Sequence, residues 1–244
     1  MINEPYVGIT ENGDASCDYS WLDKVDRSIF SIIISKRLTP ELTKNLIKNK
    51  EKVIFHLTCT GWGKSAMEPN AYTVDENYIA FTNLVEKGFP IEQIVLRVDP
   101  IIPTNYGLEI AEQVLEKFSL SGIKRLRYSF IDNFPRIKKQ LAQINMGLPW
   151  ESFNAPKQNM ESFYKVQTKY PMFEYESCAE VNADQLGCIS TKDFHIFGIE
   201  PPELINAHIR PGCLCYTLKT ELLDSSSLCP IGCRYCYRNS KLLE

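Results

Sequence analysis

The chain has 244 residues, 44% of them apolar and 23% charged, with a mean hydropathy of -0.22. That composition excludes a disordered or fibrous chain and suffices for one α/β barrel or two smaller domains with a substantial core. A net charge of -3 creates no general field for polyanions, so a nucleic acid would have to meet a local basic patch.

Residues 1–6 lack the pattern of a signal peptide, and no apolar run approaches the roughly 18 residues that span a bilayer, so a cytoplasmic protein without a membrane partner is expected. From residue 29 onward, short β-branched or apolar runs alternate with longer amphipathic ones. Strands are predicted over 29–36, 53–58, 93–99, 124–130 and 172–177, and helices over 40–49, 75–87, 107–118 and 160–169. Pro40 and Asp75 suit helix starts. Strands joined by right-handed helical crossovers curve into a full or partial (β/α) barrel, with the chemistry at the strand ends. After residue 178 the helical periodicity fades into a turn-rich stretch, before a last predicted strand over 216–223. No composition break separates a second domain. Residues 1–244 read as one barrel domain, with 178–236 as a C-terminal cysteine-rich elaboration.

Nine cysteines in a reducing compartment point to metal ligation or thiol chemistry rather than a disulfide framework. Seven of them crowd the C-terminal third. Cys229, Cys233 and Cys236 are spaced C-x3-C-x2-C, so three thiolates can hold three irons of a 4Fe-4S cluster and leave the fourth iron without a protein ligand. That iron can chelate S-adenosylmethionine and supply an electron for homolytic cleavage, giving a 5'-deoxyadenosyl radical. Pro230 and Gly232 permit a tight loop, and Tyr235 offers an aromatic surface for adenine. A zinc knuckle with a fourth ligand from elsewhere is the competing reading of the same thiols. Cys178, Cys188, Cys213 and Cys215 are enough for a second 4Fe-4S cluster, or for a closed zinc site. Cys17 and Cys59 read as unrelated thiols, with Cys59 at a strand end where it could face the cavity.

Further candidates lie at strand ends. Arg97 and Asp99 share a face, placing a guanidinium fork for the cofactor carboxylate beside a carboxylate for its ribose. Ser35 and Glu180 are further cofactor contacts, and Ser129 and Asp132 weaker ones. The 58–69 loop, with Trp62 and Lys64, could cover a flat substrate. His56 reads as a satisfied core residue, and His195 and His208 as outside substitutes for a cysteine ligand. The basic cluster Lys124, Arg125, Arg127, Arg136, Lys138 and Lys139 is ordinarily a solvated face but is also the best local nucleic-acid contact.

The run C-x3-C-x-aromatic-C at Cys229, Cys233, Tyr235 and Cys236 resembles the signature of the radical S-adenosylmethionine superfamily, although that motif normally follows the first barrel strand. Together with ISKRLTP, LRVDPIIPT, YSFIDNF, CAE, GCIS and RPGCLC in this order, it resembles a largely uncharacterised bacterial and phage family carrying the motif at its C-terminus. The resemblance implies a circularly permuted barrel in which the 216–223 strand lies beside the 29–36 strand. It also implies a radical enzyme abstracting hydrogen from a nucleoside, nucleic-acid base, peptide or small molecule, with flavodoxin or ferredoxin as electron donor. The alternative is a non-catalytic zinc or iron-sulfur protein with a structural or electron-transfer role.

Overall fold

A computed structural model describes residues 6–178, 180, 186–202, 214–216, 218–224 and 229–236. Among them, seven strands form one sheet: β1 (Val7–Ile9), β2 (Ser31–Ser35), β3 (Val53–Thr58), β4 (Ile94–Ile101), β5 (Arg125–Phe130), β6 (Glu174–Ser177) and β7 (Lys219–Glu221). Every pairing is parallel, in the order β6-β5-β4-β3-β2-β1-β7. The helices are α1 (Pro40–Lys48), α2 (Val74–Glu86), α3 (Asn105–Phe118), α4 (Pro135–Ala142), α5 (Lys157–Gln167) and α6 (Thr191–Ile196).

The helix starts are written in the sequence. Thr39 caps α1 by accepting from Leu42 N–H, with Pro40 in the first turn, and Thr73 and Glu76 close a reciprocal capping box on α2. Thr104 caps α3 by accepting from Gly107 N–H at 3.1 Å.

Because side chains alternate across a strand, the sheet has two different faces. One carries Ile33, Phe55, Leu57, Leu96, Val98, Leu126 and Tyr128 and packs on Leu42, Leu46, Phe81, Val114, Phe118 and Phe163 of the helices. The other carries Val7, Ile9, Ile32, Ile54 and Val95 and is covered by the C-terminal segment through Cys188, Ile189, Phe194, Cys215 and Tyr216. Cys59 belongs to the helix side, buried, and so faces no cavity on the other side.

The sheet is open, with β6 and β7 as its edges among the described residues, so of the full or partial barrel expected the parallel α/β sheet is found and closure is not. β7 also does not lie beside β2. It pairs with β1, a three-residue strand too short to carry a periodic signal, and β1 pairs with β2. Two helices were likewise absent from the expectation: α4, and α6 within the stretch read as turns. No helix among the described residues is long and apolar enough to cross a membrane.

Candidate metal and cofactor site

The C-x3-C-x2-C loop lies at the C-terminal end of the sheet. Gly232 turns it with a positive φ of 74°, a conformation that a side chain disfavours, and Cys236 N–H donates to Cys233 O at 3.1 Å. The loop is held by the segment that follows β3: Arg234 N–H donates to Met67 O at 3.0 Å, and the Asn70 side-chain amide to Pro230 O at 2.8 Å. Ile231, Cys233 and Tyr235 are buried there against Trp62, Met67, Ile102 and Ile131, while Cys229 and Cys236 are half-buried beside them. Trp62 is thus part of the packing under the loop, with its ring edge-on to Tyr106 at 5.6 Å, and not an open lid.

Glu68, buried in this interface, receives three donors: Thr60 Oγ1 at 2.6 Å, Lys36 Nζ at 3.0 Å and the Tyr235 hydroxyl. Lys36 Nζ also donates to Tyr235 Oη at 2.7 Å and stands 5.2 Å from the ring centroid. Burial works against the Lys36 ammonium, but Glu68, the Cys233 sulfur and Asp99 outweigh it and hold its pKa above the ordinary lysine value. Burial pushes the Cys233 thiol up. Tyr235 is therefore fixed in ring and hydroxyl by ionic partners. Thr60 lies in the 58–69 loop that the sequence singles out, whereas Lys36 and Glu68 were not among the expected site residues, although Lys36 directly follows β2.

Cys17 corrects a second expectation. Its sulfur lies 2.9 Å from Arg37 Nη2 and 3.7 Å from Ser16 Oγ, and Cys17 lines one small cavity together with Cys229. The neighbouring Cys229 thiol is the main reason its pKa falls to about 7; burial and Asp14 oppose the shift, and Ser16 and Arg37 assist it. Asp14 sets this turn by accepting from Ser16 N–H, Ser16 Oγ, Ser35 Oγ and Lys36 N–H. Ser35 is thereby placed as an anchor for Asp14, at 2.6 Å, on the helix side of β2.

A second thiol group lies on the other sheet face. The Cys178 and Cys188 sulfurs are 3.7 Å apart, and Cys188 N–H donates to Cys215 Sγ at 3.1 Å. All three are buried. Cys213 and His208 fall outside the described residues, and His195 lies on α6. Gly187 permits the approach, since a Cβ there would stand 2.5 Å from the Cys215 backbone nitrogen. The segment is moored by Arg127 Nη1 donating to Cys188 O at 2.8 Å and by Arg125 donating to Asp193 at 2.8 Å and to Glu176 at 2.9 Å. Arg125 and Arg127 are thus buried ion-pair members rather than a basic surface patch, and Lys138 is paired with Glu151.

Thr58, Arg97, Arg127 and Glu176 are register neighbours across four strands on this face. Arg97 binds Asp99, whose other oxygen takes the Ser129 hydroxyl. Burial alone would raise the Asp99 carboxyl, but Arg97 and Ser129 hold it below the usual range. Arg97 in turn stays charged against burial because Asp99, Cys188 and Cys178 surround it. Glu180 is engaged by the backbone, accepting from Phe130 N–H at 2.8 Å. His56 is not the satisfied core residue expected: it is fully buried, and neither ring nitrogen has a hydrogen-bond partner among the described residues, nor has Thr58 Oγ1. Burial, with Arg127 and Arg97 nearby, keeps His56 neutral.

The donor set fits a thiolate-bound group in its chemistry, with three motif cysteines on one curled loop beside an ammonium. Among the described residues, no three His, Cys, Asp or Glu side chains are placed to hold a single metal ion.

A family model described as Domain of unknown function (DUF1848) matches residues 18–238. The chain belongs to that family. Membership of DUF1848 overturns the superfamily assignment drawn from the motif, because DUF1848 is not a radical S-adenosylmethionine family. The eight-residue motif is a local feature, whereas the DUF1848 match extends over nearly the whole chain. No curated protein matches this DUF1848 chain.

Proposed function

We propose that Cys229, Cys233 and Cys236 hold a 4Fe-4S cluster that binds S-adenosylmethionine, making the protein a radical enzyme that abstracts hydrogen from a small polar substrate. The observation that carries this is the gathering of the three thiols on one turned loop at the C-terminal ends of the strands, pinned there by Glu68 and Lys36. When bound, such a group offers one iron to the amino and carboxylate groups of S-adenosylmethionine and supplies the electron for its reductive cleavage.

The chain's own residues do the rest. Lys36 places a positive charge beside Cys233, which favours its thiolate. The Tyr235 ring is held rigid as a wall for adenine. Trp62, Met67 and Ile231 keep water from the loop. Across the sheet, His56 and Thr58 bring unused hydrogen-bonding atoms, with Arg97 and Asp99 as the charged pair for cofactor or substrate. With Arg125 and Arg127 engaged internally, a nucleoside or other small molecule suits the face better than a polynucleotide. The group around Cys178, Cys188 and Cys215 is a second cluster site, and a flavodoxin or ferredoxin is the electron donor. The strand order supports a permuted partial barrel: with β7 moved to the front of the chain, the strands run β7-β1-β2-β3-β4-β5-β6 in unbroken parallel succession.

The test is anaerobic reconstitution with iron and sulfide, followed by reduction in the presence of S-adenosylmethionine. The expected result is about four iron and four labile sulfide at the motif, with 5'-deoxyadenosine released by the wild type and not by Cys233→Ala. A colourless protein that takes up zinc without labile sulfide refutes the proposal.

A further inference from the structure

We propose that the outer face of α4 and the adjoining thiol loop form a docking surface for a small acidic electron-carrier protein, which delivers the reducing electron to the motif. The surface rests on the cluster proposed above. Ile137 and Leu141 of α4 are buried in one apolar cluster with Ile231, Cys233 and Tyr235, so the helix lies against the thiol loop. Just past the end of α4, Gln143 Oε1 accepts from Arg234 Nη1 at 3.2 Å. With the i, i+4 pair Ile137 and Leu141 turned inward, the residues between them turn outward, and Lys138 and Lys139 are exposed.

The partner follows from charge and position. Residues 131–151 and 229–236 carry Arg136, Lys138, Lys139 and Arg234 against Asp132 and Glu151, a net charge of +2 in a chain of net charge -3. Glu151 pairs with Lys138 at the surface, a contact weak enough for a partner's carboxylate to displace. Ile144, Met146 and Leu148 pack half-buried against the same apolar cluster as Cys229 and Cys236, giving the basic face a small aliphatic flank. Transient electron-transfer complexes bury little surface, below about 1,200 Å², and gain their rate from charge steering. A short helix face with one apolar flank suits that scale. Arg234 stands in the motif between Cys233 and Cys236, and Cys229 and Cys236 are half-buried, so a carrier seated here meets the thiols. A nucleic acid held by its phosphates would gain nothing from that adjacency. In the transfer the reduced carrier loses one electron and the group held by Cys229, Cys233 and Cys236 gains it, and no bond or proton changes hands.

The experiment treats the reconstituted protein with an acidic 2Fe-2S ferredoxin and a water-soluble carbodiimide, which joins lysines to carboxylates in contact, and maps the linked peptides by mass spectrometry. In parallel, 5'-deoxyadenosine is followed with reduced ferredoxin or dithionite for wild type, Lys138→Glu/Lys139→Glu and a control of equal charge change, Lys44→Glu/Lys48→Glu, at exposed positions of α1. The expected links run from Lys138 or Lys139. The ferredoxin-driven rate should fall about tenfold or more in Lys138→Glu/Lys139→Glu and hold in the control. For wild type it should also fall as ionic strength rises from about 0.01 to about 0.15 M. The dithionite-driven rate should stay level in all three. Links confined to other lysines, or equal losses in both variants, overturn the surface and leave the cluster standing. Binding of a single-stranded oligonucleotide that Lys138→Glu/Lys139→Glu abolishes, with no ferredoxin link on α4, assigns the face to nucleic acid and also overturns the proposal. No product with dithionite refutes the cluster, and the surface falls with it. The links are mapped on the wild type, so the surface is read even where a variant does not fold.

Discussion

Replacing Glu176 by glutamine tests the mooring of the C-terminal segment. The Glu176 carboxylate is fully buried and takes Arg125 Nε at 2.9 Å, Arg125 Nη2 at 3.2 Å and Arg127 Nη2 at 2.5 Å. Burial alone would raise its carboxyl, yet Arg127 and Arg125 bring it from 4.5 to about 2. At about 1.4 kcal/mol per unit, the ion contacts contribute on the order of 3 kcal/mol at neutral pH. Breaking a buried ion pair from one side costs about 3 to 5 kcal/mol, and because Arg125 keeps Asp193, the lower end applies to Glu176→Gln. With a urea slope of about 2 to 3 kcal/mol per molar, the unfolding midpoint should drop by roughly 1 to 1.5 M. The contribution belongs to the ionised form. It is present in full above the unfolded value near 4.5 and is lost as pH falls through about 2, so the gap between wild type and variant should close over that window. A midpoint within about 0.3 M of wild type at pH 7 refutes the reasoning, and so does a gap that does not narrow on acidification.

Gly187→Ala forces a Cβ to within 2.5 Å of the Cys215 backbone, so the Cys188 and Cys215 segments should part and their thiols react faster with a disulfide reagent in the folded protein. Thr73→Ala removes the capping box of α2 and should cost about 1 kcal/mol in thermal or urea unfolding. Burial pushes the Cys59 thiol up to about 12, so it should resist alkylation at pH 8 until the chain unfolds, and labelling of native protein at Cys59 would contradict its position. Glu68→Gln leaves Lys36 without its carboxylate and loosens the Tyr235 hydroxyl, and faster proteolysis within residues 229–236 is the expected readout.

The sequence by itself determined strands β2 to β6 and four of the helices, because each is long enough to repeat its pattern and most of these helix starts carry their capping residues locally. It also determined which cysteines share a tight loop, since C-x3-C-x2-C spacing acts over a few bonds. The strand expected over 216–223 contains β7 (Lys219–Glu221), whereas the three-residue β1 carries no period, and the pairing of the two is fixed by contacts between segments far apart in the chain. An eight-residue motif did not determine the family, which a match over residues 18–238 did. Only the tertiary structure decided that Cys17 and Cys229 line one cavity, that Arg125 and Arg127 point into the protein, and that His56 is buried without a hydrogen-bond partner among the described residues. Each of these depends on what a distant segment lays against the residue, and nothing in the residue's own neighbours along the chain encodes it.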